Sequence, residues 1–182
     1  MFLTKKNLLA ITLAFCFVFI AQISYSSKPT QEVVETEVDS VQIEQDSLYA
    51  LINSSFEQVK PILKNSCYDC HSATICEPWY FNLPGINSFI TSHIEEGREH
   101  LDFTDGFPFK SKEPILEILH ELKEEVEEGE MPLFSYRIMH WGKLIEGEQQ
   151  DSLFMWIEET ETALKDFYTK HNIPFKKVES EH

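Results

Sequence analysis

Cys67-Tyr68-Asp69-Cys70-His71 is the stretch on which the reading of this chain turns. Cys-x-x-Cys-His is the attachment sequence for c-type haem. The spacing has a physical reason. Cys67 and Cys70 stand about one helical turn apart, so both thiols face the same way. Two thioether bonds to the haem vinyl groups can then form on one edge of the porphyrin. His71 follows Cys67 by one turn, which brings its imidazole under the iron as proximal ligand. Composition alone predicts roughly 0.003 chance occurrences of the pentapeptide. Three other readings use the same residues. A thioredoxin-type redox pair wants a βαβ context, and none is seen. A zinc site wants a second ligand pair, for which Cys76 and His93 are the candidates. The third is a plain structural disulfide.

Upstream, the chain opens with an export pattern. Lys5 and Lys6 form a short positive region, and Leu8 to Ala21 follows without a charge. Ser24-Tyr25-Ser26 offers small residues at −3 and −1 of a cut after Ser26. This is the layout of a signal peptide over residues 1–26, and the apolar run is short for a membrane span. An uncleaved N-terminal anchor is the alternative. Cys16 follows Phe15, which fits a lipid-attachment site badly. Export agrees with haem c, which is attached outside the cytoplasm, so the expected location is periplasmic or otherwise exported. Residues 27–47 read as an acidic linker with Glu32, Glu35, Glu37, Asp39, Glu44 and Asp46 and no aromatic residue.

The whole chain has 182 residues, 15 Lys plus Arg against 31 Asp plus Glu, and a net charge of −16. Loss of residues 1–26 removes two lysines and no acid, taking the charge to about −18. So acidic a chain is a poor partner for nucleic acid, whose phosphates need a basic face. An anionic membrane surface should repel it. Hydrophobic residues at 42% and aromatics at 13% are enough to bury a core.

From Leu48 the apolar spacing becomes helical. Leu48, Leu51, Ile52, Phe56 and Val59 form one stripe, Ser54 and Glu57 a candidate capping box, and Pro61 an expected kink or restart. That helix should end at Cys67 to His71. Further helices are predicted over about Ile86–His100, Ser111–Glu128 (Pro114 in its first turn, Gly129 ending it) and Glu148–Tyr168. Loops are expected at 72–85, 101–110 and 129–147. No alternating strand of useful length occurs. The expected class is all-α, with a domain over 48–170 and a polar tail over 171–182. The terminal helices should pack through Phe56 and Val59 against Phe154 and Ile157.

The match extends beyond the pentapeptide. Val59-Lys60-Pro61-Ile62-Leu63 and Cys67 to Ser72 resemble the start of the bacterial haem-binding-domain family of small c-type cytochromes. Pro78-Trp79-Tyr80 with Pro84 is similar to its next block, and His93-Ile94-x-x-Gly97-Arg98-x-x-Leu101-x-Phe103 to the following one. Gly129-Glu130-Met131-Pro132-Leu133, Tyr136, His140 and Trp156 complete the pattern over roughly residues 55–160. The resemblance implies one covalently bound haem c in an exported, cytochrome c-like helical protein. It implies no particular reaction. Cys76 departs from the pattern, and burial as a small hydrophobe is its expected state.

Met131 is the leading candidate for the sixth iron ligand. It lies between Gly129 and Pro132, 60 residues beyond His71, and a thioether from such a loop matches the His/Met cytochrome c arrangement. The resemblance points to the same residue. The bland reading is a core methionine after a helix end. His93, with His100 seven residues on, is the main competitor, and it reads more naturally as a hydrogen-bonded core histidine. Met139 and His140 could line the pocket, and His120 should face solvent. Trp79, Tyr80, Phe81, Phe89 and Trp156 are expected as pocket or core aromatics, with Trp79 and Tyr80 counted among the haem-binding residues. Arg98 is a candidate partner for a haem propionate, against a surface role balancing Glu95, Glu96 and Glu99. The Pro84 carbonyl is a candidate partner for the ring nitrogen of His71 that faces away from the iron.

Together these point to an exported monohaem c-type cytochrome, its iron held by His71 and Met131, passing single electrons to a redox partner. The acidic run Glu121 to Glu130 would steer a basic partner. No nucleophile or general-base constellation stands out, so the expectation is not an enzyme. The alternatives are a haem peroxidase or accessory haem domain with His93 or His140 as acid–base group, and a haem-based gas sensor.

Overall fold

The computed structural model describes residues 30–74 and 77–175. The expected signal segment, Cys16, Cys76 and residues 176–182 of the expected tail lie outside the described residues. The architecture is all-α. Six helices are described: α1 (Thr30–Ser66), α2 (Tyr68–His71), α3 (Ile86–His100), α4 (Ile115–Glu127), α5 (Phe134–Met139) and α6 (Glu148–Lys170). The strand-like pairing among the described residues is an isolated antiparallel bridge, Asp102 with Lys110. No helix among the described residues is long and apolar enough to cross a membrane.

The chain divides into two units, one ending at Glu44 and one beginning at Gln45. In the first, the described residues from Thr30 are helical. The stretch expected as an acidic linker over 27–47 is therefore helical from Thr30. From residue 39 to 47 none of the side chains is buried, and Ile43 is 64% exposed, so this part of the helix carries no buried apolar stripe. The core and the site belong to the second unit.

The core forms where the apolar stripes converge. Phe56 and Leu63 of α1 are fully buried, as are Leu119 of α4 and Leu153, Ile157 and Leu164 of α6. Phe103, Phe107 and Phe109, from the loop after α3, complete it. The expected partnership of the terminal helices holds in outline, since Phe56, Val59 and Ile157 share one core and Phe154 packs against it. The aromatic contact of Phe56 is with Trp156, ring centroids 5.3 Å apart. The indole Nε1 of Trp156 donates to Ser55 Oγ at 3.1 Å, so Trp156 is a core residue.

Local rules explain most helix ends. Gly129, at φ +71°, turns the chain out of α4. The capping box at Ser54 and Glu57 does not start a helix, because both lie inside α1. Pro61 also lies inside α1, and the packed faces of Phe56, Val59 and Leu63 carry the helix past it. Pro114 is the residue before α4 and adopts an extended conformation, so the helix starts four residues later than Ser111. The loop expected over 129–147 contains α5, a helix too short to show a periodic stripe.

Candidate functional site

α1 ends at Ser66, and the backbone turns at Cys67 before one more helical turn. The amide of Cys67 donates to Leu63 O at 2.7 Å, and those of Cys70 and His71 to Cys67 O at 3.1 and 2.9 Å. These bonds wind the pentapeptide into the turn its spacing predicts. Neither Cys67 nor Cys70 is in a disulfide.

His71 is gripped from two sides. Its Nδ1 is 2.9 Å from Leu101 O, so Nδ1–H donates to that carbonyl. The amide of Phe103 donates to His71 O at 2.8 Å. With Nδ1 engaged, Nε2 is the nitrogen left to bind a metal. The partner is Leu101 and not Pro84, which is exposed. Chain distance hides this, since 30 residues separate the two groups. The ring lies against α3 at Gly97, where a Cβ would stand 3.3 Å from His71 Cε1. Phe103 meets the ring edge-on at 6.0 Å and stacks on Tyr68 at 5.5 Å.

Electrostatics favour the ligating forms. Burial holds the His71 pKa below the ordinary imidazole value, against the raising effect of its carbonyl neighbours Leu101 and Gly97. The ring is therefore neutral at pH 7, the form that binds metal. Burial, then the neighbouring Cys70, pushes the Cys67 thiol up to about 12. Burial, then the charge of Asp69, raises Cys70. Disulfide exchange uses a depressed thiol pKa, the opposite of this pair. No group of three or more His, Cys, Asp or Glu side chains among the described residues is placed to hold a metal ion.

Two adjoining cavities meet here. The larger, about 540 Å³, is lined by Cys67, Cys70, His71 and Met131 together. Met131 is brought there by the turn after α4, its amide donating to Glu125 O at 3.1 Å. The second cavity, about 370 Å³, is lined by Trp79, Tyr80, Phe81, Phe89, Met139 and His140. Cys70, His93, Leu133 and Tyr136 line both. His93 thus stands at the site, with Nδ1 donating to Phe89 O at 2.8 Å. His140 stacks on Tyr136 at 4.1 Å, and Tyr136 OH donates to Asp69 at 2.5 Å. His100 lines the larger cavity, while His120 pairs with Glu124 at 3.1 Å and is only partly exposed. Arg98 lines neither cavity: its Nε and Nη2 donate to Asp102 Oδ2 at 3.1 and 2.9 Å. The structure therefore does not bring it to the place expected for a propionate partner.

Sequence reasoning passed over Leu101 and Phe103 as the clamp on His71, because the acting groups are backbone atoms. Glu121 and Glu125, read in the sequence as part of an acidic run facing a partner, reach the wall of the larger cavity with Glu96 and Glu113. Partial burial, then neighbouring carboxylates, raises the pKa of each of these two.

The donor set suits haem. Two thiols, a neutral imidazole with its far nitrogen anchored and a thioether share one cavity, and the bare Gly97 lets the imidazole lie close against α3. A model of the haem-binding domain family matches residues 23–159. The chain belongs to the haem-binding-domain family. No curated protein and no solved structure matches it.

Proposed function

We propose that this member of the haem-binding-domain family is an exported monohaem c-type cytochrome that passes single electrons between partners. Cys67 and Cys70 hold the haem through thioether bonds, His71 Nε2 is the proximal ligand and Met131 Sδ the sixth. The observation that carries the reading is the convergence of Cys67, Cys70, His71 and Met131 on one cavity, with His71 neutral and its Nδ1 donating to Leu101 O. Bound haem supplies the one-electron change at iron. The chain supplies the rest. Leu101 O fixes the tautomer of His71, Gly97 admits the ring, and Leu122, Val126 and Leu133 supply apolar wall. The N-terminal pattern at residues 1–26 supports export, and the acidic chain suits a basic redox partner.

The reading is tested on exported protein by the alkaline pyridine spectrum with dithionite, before and after acid–acetone extraction. Haem c that stays with the chain is the expected result, and its loss in Cys67→Ser and Cys70→Ser assigns the thioethers. Carbon monoxide should bind the reduced Met131→Ala protein and not the reduced wild type. A wild type that binds carbon monoxide readily would favour the gas sensor or the peroxidase. That second reading has one observation in its favour: His93 and His140, the groups it needs for acid–base work, both line the adjoining cavity.

A further inference from the structure

We infer that Asp102, working with Arg98 and Thr104, is a positioning residue for the imidazole of His71. The inference rests on the function proposed above and concerns how the iron's proximal ligand is aimed. Asp102 lies between the two residues that grip His71, Leu101 through its carbonyl and Phe103 through its amide. Its own contacts pin that three-residue loop in every direction. The Asp102 amide donates to Lys110 O at 2.9 Å, and Lys110 N donates back to Asp102 O at 3.3 Å. Oδ2 accepts from Arg98 Nε and Nη2, which ties the loop to α3. Oδ1 accepts from the amide of Thr104 at 2.8 Å and from the Thr104 hydroxyl. The Thr104 hydroxyl oxygen accepts from the amide of Ala73 at 2.8 Å, which ties the loop to the segment leaving His71.

The Asp102 side chain is only 8% exposed. A buried charge is costly unless it is paired and hydrogen-bonded throughout. Here it is: both oxygens are used, and one of them faces a guanidinium. An apolar side chain would fill the same space without that cost, but it could not hold the loop against both α3 and Ala73. The ring of His71 is confined by Gly97 on one face and by the Leu101 carbonyl at Nδ1. A shift of the loop therefore rotates the imaginary line from Nδ1 to Nε2, and with it the ring plane presented to the iron. Asp102 touches neither cavity, so it aims the ring through the loop, while its charge adds a field at His71.

The experiment uses haem-loaded wild type, Asp102→Asn and Thr104→Val, each checked by its pyridine spectrum for attached haem c. Asp102→Asn keeps the shape but turns a donor toward Arg98. Thr104→Val keeps the ion pair and removes the tie to Ala73. The readouts are the hyperfine-shifted haem methyl protons of the oxidised protein, whose spread depends on the angle of the imidazole plane, and the midpoint potential. The expected result is a changed methyl spread in both variants, with a positive shift of potential in Asp102→Asn, where a buried negative charge is lost. Unmoved methyl spreads in both loaded variants would overturn the inference. So would a shifted potential in Asp102→Asn with wild-type spreads throughout, because the carboxylate would then act only through its field. If Asp102→Asn fails to fold, Thr104→Val decides by the same criterion. A wild type that takes up no haem would overturn the function proposed above and this inference with it, a result distinct from loaded variants that do not move.

Discussion

Gly97 stands where α3 passes the imidazole of His71, and its missing side chain is what lets the two meet. A Cβ at this position would lie 3.3 Å from His71 Cε1, tighter than ordinary contact by a few tenths of an ångström. Alanine is favoured over glycine inside a helix by about 1 kcal/mol. Gly97→Ala should therefore melt close to wild type, propensity and crowding offsetting each other. Gly97→Val adds bulk that α3 cannot turn away from His71. Its chain should still fold, but the fraction recovered with attached haem should fall several-fold, as read by the ratio of haem to protein absorbance. A valine variant loaded as fully as wild type would mean that the ring has room to spare. The same residue marks how far a sequence can be read. The pentapeptide offers its candidate side chains in plain view, because spacing within one turn is local. The carbonyl of Leu101 is invisible there, because any residue has one and only the fold brings it to His71.

The helices show the same division at the next scale. α3 runs over Ile86–His100 as its apolar spacing predicts, and α6 begins at Glu148 as expected. Their stripes face one core, so periodicity suffices. α5 escaped notice because six residues make fewer than two turns, with Phe134 and Ile138 left exposed instead of forming a buried stripe. Arg98 is a case where position within the element selects the partner. Its charge suggested a propionate, while its position four residues before Asp102 on the same side of the chain decided its partner. Between α1 and α6 the contact is aromatic, Phe56 on Trp156, with the indole donating to Ser55. Phe56 is fully buried, so Phe56→Ala should destabilise the fold by about 3–5 kcal/mol. Ser55→Ala removes the partner of the indole together with the hydroxyl's own bond to Ile52 O, and should cost about 1–3 kcal/mol for the donor left without one. Urea unfolding followed by circular dichroism measures both. A Ser55→Ala loss as large as that of Phe56→Ala would show that the hydrogen bond, and not the ring packing, joins these helices.

Taken whole, the molecule is an acidic body, with a net charge of −16, whose charge reaches its cavity wall at Glu96, Glu113, Glu121 and Glu125. Like charges along the wall of a cleft focus the field there. Reduced protein should therefore be oxidised faster by a cationic metal complex than by an anionic one of similar potential. Raising the ionic strength should bring the two rates together, since the Debye length shrinks to about 8 Å at 0.15 M. Stopped-flow rates that ignore salt would remove electrostatic steering from the account of its partners. One further consequence follows from the way the chain closes on itself at His71 and Phe103, and again at Ala73 and Thr104. Both knots lie outside residues 77–85. Gly85, at φ +83° with open space where a Cβ would be, sits at the far end of that stretch. This excursion can therefore lengthen, shorten or change its sequence while His71 keeps its setting, so a lineage could reshape the mouth of the smaller cavity without loosening the hold on that ring.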